Sequence, residues 1–144
     1  MGIVLDSTVL IGGERRNLTV PQLLDELRSA FGDTDISLPA MSAAELVHGI
    51  WRAKSPEIRV HREEFVEEVF ARIPVRPISL KIARIAGQID AQARARGTTI
   101  PTADLLIGAT AMEMGFSVVT SNARHFRLMP RLRVKPFTEP RKIR

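Results

Sequence analysis

Residues 1–13, MGIVLDSTVLIGG, decide the fold because they place a carboxylate directly after a short apolar run. The run IVL is rich in β-branched residues, which is typical of a strand buried on both faces of a parallel sheet. Asp6 follows this strand, either to cap the next turn or to carry a function. We predict that Ser7 or Thr8 caps a short turn that reaches Gly12 and Gly13.

Outward from this strand, helical patterns alternate with short extended segments. The helical patterns cover residues 21–31, 42–53, 56–73, 79–97 and 101–115, and the extended segments cover 35–39, 75–78, 116–122 and 132–137. This alternation predicts a three-layer α/β/α domain with a central, mostly parallel sheet over residues 1–137. A basic C-terminal tail, residues 138–144, follows. The helix 101–115 is apolar almost all round, so we expect it to be buried.

Composition restricts the class of protein. The 144 residues are 44% hydrophobic and 26% charged, as in ordinary globular domains, and include no cysteine. Disulfides and thiolate metal sites are therefore excluded. No apolar run approaches the ~20 residues of a membrane helix, and no basic segment precedes the first apolar stretch. These features predict a soluble cytoplasmic protein without a membrane segment.

The net charge of +5 is concentrated near the C-terminus. Residues 124–144 contain eight Lys or Arg residues and one acidic residue. Such a segment either binds phosphate groups or is a solvated end of the chain.

Three acidic residues lie where strands and helices of the predicted sheet meet. Asp6 follows the first strand, Glu45 lies early in the helix 42–53, and Asp104 lies in the first turn of the helix 101–115. Ligands bind at the carboxyl ends of the strands in such sheets. Glu45 is also spaced to form a capping box with Ser42, and Asp104 suits the helix dipole. However, no Lys or Arg lies within one helical turn of Asp104 to neutralise it.

Other polar residues give weaker signals. Thr120 and Asn122 end the predicted strand 116–122, and Asn122 is a good N-cap for the turn that follows. His48, His61 and His125 are isolated in the sequence, which favours packed or exposed roles.

Taken together, the three carboxylates favour a metal site. Like charges brought close together repel one another unless a cation or a proton intervenes. Oxygen ligands without cysteine or paired histidine suit Mg²⁺ or Mn²⁺. Such an ion polarises a phosphodiester and lowers the pKa of an attacking water, so the sequence predicts metal-dependent phosphoryl chemistry.

Four motifs, in order, resemble those of the PIN-domain family and, within it, the VapC-type toxins of bacterial and archaeal toxin–antitoxin pairs. They are IVLDSTVLI (3–11), SAAELVHGI (42–50), PTADLLIGATAMEMG (101–115) and VVTSNARHF (118–126). The resemblance covers about residues 2–137. It implies a magnesium-dependent endoribonuclease that hydrolyses RNA phosphodiester bonds with a metal-activated water.

The resemblance also implies roles for particular residues. Asp6, Glu45 and Asp104 occupy the family's three acidic positions. Asp6 and Asp104 would hold Mg²⁺, with Mn²⁺ as a substitute, and Glu45 would complete the cage or orient a metal-bound water. Thr120 matches a supporting hydroxyl position. Many members have a fourth acid where this chain has Asn122, so we expect one tightly held ion, and a second only when RNA phosphate helps to bind it.

The resemblance further implies partners: an RNA substrate, a VapB-type antitoxin that presents an arginine to the acids, and a second copy of the chain in a homodimer. The alternative is a non-catalytic PIN-like module that binds RNA or protein. Two other classes fit poorly. A haloacid-dehalogenase-like phosphatase requires an acid where Thr8 stands, and a receiver domain requires a phosphoacceptor aspartate that the segment 35–42 lacks.

Overall fold

In the computed structural model, which describes residues 1–138, strands and helices alternate as the sequence predicts. The strands are β1 (Gly2–Leu5), β2 (Asp35–Pro39), β3 (Val75–Arg76), β4 (Ser117–Thr120) and β5 (Val134–Pro136). The helices are α1 (Ser7–Arg15), α2 (Val20–Phe31), α3 (Ala40–Trp51), α4 (Pro56–Arg72), α5 (Leu80–Ala95) and α6 (Thr102–Met114), and a 3₁₀ turn covers Phe126–Leu128. Apart from Thr138, the predicted basic tail lies outside the described residues. Across the described part of the chain, we find no helix with both the length and the apolar character needed to cross a membrane.

All five strands are parallel and lie in the order β3-β2-β1-β4-β5, which confirms the predicted sheet. β1 lies at the centre, paired with β2 on one side and β4 on the other. Every residue of β1 is buried, as its apolar run predicts. From β1 the chain first adds β2 and β3 on one side, and it later adds β4 and β5 on the other side. The carboxyl end of β1 is therefore the topological switch point, where ligands bind in such folds.

Two hydrophobic clusters cover the two faces of the sheet and make the three layers. Along β1, Ile3 and Leu5 point into the cluster formed with α1 to α4. Val4, on the opposite face, packs in the cluster formed with α5 and α6. The core of α6, residues 107–111, is entirely buried, which confirms the prediction from its apolar pattern.

The segment after Asp6 differs from the prediction, because it is a helix and not a short turn. α1 continues through Gly12 and Gly13 to Arg15. Gly13 is packed against α2: a Cβ atom at this position would lie 2.7 Å from Leu23 Cδ2. The close packing of two helices at Gly13 thus outweighs the low helix propensity of glycine.

A tight turn between α6 and β4 determines which way α6 faces. Gly115 ends α6 in the left-handed conformation, with φ of 69°, and the Phe116 amide donates to the Ala111 carbonyl at 2.9 Å. β4 begins two residues later, so α6 runs antiparallel to the strand. The first turn of α6, which contains Asp104, therefore lies towards the carboxyl edge of the sheet.

Candidate active site

Asp6 is a buried carboxylate held by two hydroxyl groups. It occupies the N-cap position of α1, but its side chain makes no capping hydrogen bond. Instead, its Oδ2 accepts from Thr8 Oγ1 at 2.8 Å and from Thr120 Oγ1 at 2.7 Å. Only 4% of Asp6 is exposed, so these charge-assisted bonds offset part of the cost of burying the charge. The capping alternative for the Asp6 side chain was wrong.

The loop after β4 is attached to the start of α1 through the same hydroxyls. Thr120 is fully buried, and its Oγ1 accepts from the Asn122 amide at 2.9 Å. Thr8 Oγ1 accepts from the Ser121 amide at 3.1 Å. Thr120 therefore holds Asp6 directly, and its supporting role in the chemistry stays a prediction. The contribution of Thr8 was missed, because its only sequence signal is a hydroxyl two positions after the acid.

Glu45 is held by Ser7 and not by a capping box. Its Oε1 accepts from Ser7 Oγ at 3.1 Å, whereas Ser42 Oγ donates to the Leu5 carbonyl at 2.9 Å. The capping-box alternative was wrong because α3 begins at Ala40, so Ser42 lies inside the first turn and cannot serve as the N-cap. Burial raises the pKa of Glu45, the Ser7 hydrogen bond opposes this rise, and the nearby acids reinforce it.

Asp104 lies in the first turn of α6 and pairs with a histidine from the loop after β4. Its Oδ2 lies 3.0 Å from His125 Nδ1. Burial raises the pKa of Asp104, the charge of Asp6 raises it further, and the hydrogen bond with His125 opposes both. No Lys or Arg lies near Asp104 in the sequence, and in the structure its partner is a histidine instead.

The loop residues around His125 also require corrections. His125 was expected to be packed or exposed, and in the structure it is partly exposed and contacts one of the three acids. Asn122 was expected to cap the next turn, but His125 occupies the N-cap position of that 3₁₀ turn. His61 pairs instead with Glu14 at 2.9 Å on the surface.

The three acids lie within electrostatic reach of one another. The charge of Asp6 raises the pKa of both Glu45 and Asp104, and Asp104 also raises that of Glu45. Among residues 1–138, no Lys or Arg forms an ion pair with any of them. Within the same range, no three His, Cys, Asp or Glu side chains lie close enough together to hold a metal by themselves.

These donor atoms suit a hard cation that keeps part of its water shell. The site offers carboxylate and hydroxyl oxygens, with negative charge that no Lys or Arg of the described chain neutralises. Mg²⁺ typically binds through one or two carboxylates and retains several waters, so it does not require three protein ligands in contact. The residues present therefore fit Mg²⁺ or Mn²⁺, bound by few direct protein contacts.

An apolar groove lies between α1, α3 and α4. It has a volume of about 100 Å³, and its apolar lining includes Leu10, Leu46 and Phe65. Asp6, Glu45 and Asp104 are not among its lining residues. Arg15 and Arg62 add positive charge to the lining.

Comparisons with known proteins agree with the fold and the sequence motifs. A family model described as the PIN domain matches residues 3–132. Ribonuclease VapC10 of Mycobacterium tuberculosis is 33% identical over 138 residues, which cover 96% of this chain and 95% of the relative. Ribonuclease VapC1 of Rickettsia felis is 28% identical over 134 residues, covering 93% and 95% respectively.

A solved structure shows the same fold. The crystal structure of VapBC2 from Rickettsia felis bound to a DNA fragment from their promoter contains a chain that matches with a TM-score of 0.82 at 19% identity. The match covers 96% of this chain and 100% of that chain. The family model spans most of the sequence, and the M. tuberculosis relative matches over nearly its whole length. The chain therefore belongs to the PIN-domain family and, within it, to the VapC group.

Proposed function

We propose that this protein is a magnesium-dependent endoribonuclease and the toxin of a type II toxin–antitoxin pair. The observation that carries the proposal is the position of Asp6, Glu45 and Asp104 at one edge of the sheet in a VapC-group chain, where the charge of Asp6 raises the pKa of the other two. The names of the VapC10 and VapC1 relatives, both ribonucleases, support RNA as the substrate.

Asp6 and Asp104 are the residues that would hold the metal. Each has one carboxylate oxygen engaged by the protein, which leaves the other oxygen for a ligand. When bound there, Mg²⁺ or Mn²⁺ would polarise the scissile phosphate and lower the pKa of the attacking water. Asn122 carries no charge. We therefore expect little attraction for a second ion near Asn122 in the absence of RNA.

Glu45 is suited to orient the attacking water and accept its proton. Ser7 holds Oε1, and Oε2 accepts no hydrogen bond from the described residues. A carboxylate with a raised pKa is a better proton acceptor near neutral pH than an ordinary one.

The proposed partners are an antitoxin and a second copy of the chain. An antitoxin of the VapB type could place an apolar side chain in the groove between α1, α3 and α4, and an arginine against the acids. For the homodimer, the support is an exposed apolar stripe on α3. Val47 is 38% exposed and Trp51 is 67% exposed, with Ala44 one turn before Val47.

The alternative function is a non-catalytic module that binds RNA or protein. The retention of three acids, each with an oriented hydrogen-bond donor, favours catalysis because a scaffold does not require this arrangement.

The test is cleavage of total RNA by the purified protein with Mg²⁺ or Mn²⁺, with and without EDTA, followed by mapping of the new ends. We expect cleavage with either metal, none in EDTA, and at least a 100-fold loss for Asp6→Asn, because one charge and one ligand are removed. Asp25→Asn is the matched control, since Asp25 is exposed on α2. Undiminished cleavage in excess EDTA would contradict metal dependence. Binding of RNA without cleavage under every metal condition would favour the module.

A further inference from the structure

Each of the three acids has one oxygen held by a hydrogen-bond donor of the chain. Asp6 and Glu45 accept hydrogen bonds from hydroxyl groups, whereas Asp104 accepts one from a histidine ring. The second oxygen of each carboxylate accepts no hydrogen bond from residues 1–138. The donors therefore divide every carboxylate into an engaged oxygen and an open one. His125 is the donor that the proposed chemistry does not yet explain.

The position of the His125 ring is fixed by its turn. The neighbouring Phe126 is 1% exposed and belongs to the cluster formed with α5 and α6. The Leu128 amide donates to the His125 carbonyl at 3.1 Å. Further along, Met129 packs closely against Gly108 of α6. A Cβ atom added to Gly108 would lie only 2.5 Å from Met129 Sδ. The turn is thus packed directly on the helix that carries Asp104.

The kind of donor matters for cation binding. A carboxylate only accepts hydrogen bonds, so His125 Nδ1 carries the hydrogen in the 3.0 Å contact with Asp104 Oδ2. An imidazole ring orients a carboxylate through a single ring N–H. A Lys or Arg in the same place would hold the carboxylate but would also repel a divalent cation. Among the described residues, no Lys or Arg pairs with Asp104.

We propose that His125 is a positioning residue that holds Asp104 Oδ2 through Nδ1–H and so presents Oδ1 to a divalent cation. This inference rests on the proposed function, because it assigns Asp104 to the metal. Loss of a hydrogen-bond partner behind a metal ligand typically weakens metal affinity or activity by about 10- to 100-fold.

The test measures metal binding without RNA. We would titrate Mn²⁺ and Mg²⁺ into the metal-free protein by calorimetry and record the melting temperature with and without Mg²⁺. His125→Ala should weaken metal affinity by about 10-fold or more. His125→Asn should restore most of it, because the asparagine amide nitrogen can donate from nearly the same place as Nδ1. His61→Ala is the matched control, since His61 also pairs with a carboxylate, that of Glu14, away from the three acids.

The outcomes separate the inference from the proposed function. Suppose that the parent binds metal and cleaves RNA, and that His125→Ala binds metal with the same affinity as His61→Ala. The positioning role is then wrong, and the proposed function stands. Tighter binding by His125→Ala would overturn it too, because the histidine would then act as a competing cation. If the parent binds no metal and cleaves no RNA, both proposals fail. Should His125→Ala not fold, a folded His125→Phe variant replaces it. Weakened metal binding by His125→Phe, with unchanged metal binding by His61→Ala, would support the positioning role. Unchanged metal binding by both variants would refute it.

Discussion

Thr120→Val tests whether the buried hydroxyl at the end of β4 stabilises Asp6. The substitution keeps nearly the same side-chain shape and removes one hydrogen-bond donor. Thr120 is 0% exposed, and its hydroxyl lies 2.7 Å from Asp6 Oδ2, so water cannot easily replace it. The variant therefore isolates one charge-assisted hydrogen bond in the centre of the site.

The expected loss of stability follows from these contacts. A hydrogen bond to a charged group contributes about 1.5–3 kcal/mol. Thr8 still donates to the same oxygen at 2.8 Å, and the Asn122 amide, which loses its acceptor, belongs to an exposed residue that water can reach. We therefore expect a loss of about 2 kcal/mol in the free energy of unfolding. For a chain of this size, that lowers the melting temperature by about 4–8 °C.

The assay is thermal and urea unfolding in EDTA, so that no metal contributes to stability. Thr110→Val is the control because Thr110 is also 0% exposed, but its hydroxyl donates to the neutral Leu106 carbonyl at 2.7 Å within α6. We expect the control to lose about 1 kcal/mol or less. Equal losses in the two variants would refute the view that Thr120 stabilises a buried charge.

Two further predictions concern the acids and the surface of α3. Because the pKa of Asp104 is raised on folding, its ionised form destabilises the metal-free protein at neutral pH. Asp104→Asn should therefore raise the metal-free melting temperature at neutral pH. This gain should disappear in acid, where Asp104 of the parent is protonated in both the folded and the unfolded state. The variant should also lose most of the stabilisation that Mg²⁺ gives the parent. Melting curves across pH, with and without Mg²⁺, check this, and a lower melting temperature at neutral pH would contradict it. If the exposed stripe on α3 forms the homodimer, Val47→Glu should give a monomer in analytical ultracentrifugation, whereas Val60→Glu, at an exposed position on α4, should not. A dimer that persists in Val47→Glu would exclude this surface.

Local sequence patterns predicted the elements that carry the acids. The apolar run before Asp6 is a buried central strand, and the apolar pattern after Asp104 is a buried helix. Both follow from burial on all sides, which leaves a continuous apolar run in the sequence. The prediction that Asp104 lies where a strand meets a helix was wrong, because this residue follows α5 and not a strand. Its place at the sheet edge depends on the direction of α6.

Most of the hydrogen bonds that hold the acids were not predictable, because all but the bond from Thr8 to Asp6 join distant parts of the chain. Ser7 and Glu45 are 38 positions apart, and Asp104 and His125 are 21 positions apart. Ser42 and Glu45 have the spacing of a capping box, and only the start of α3 two residues earlier shows that the spacing is coincidental. Sequence spacing reports contacts within one element, whereas these contacts depend on how elements pack.

The pairing of β1 with β4 also determines when the site can form during synthesis. Asp6 and Thr120 are 114 positions apart, and β1 has one of its two neighbours only after β4 has been made. Contacts between such distant residues form slowly, because a long loop must close first. A nascent chain that ends after α6 would contain all three acids, yet it would lack the donors Thr120 and His125. The complete acidic site therefore arises only when nearly the whole domain has left the ribosome and the sheet has closed.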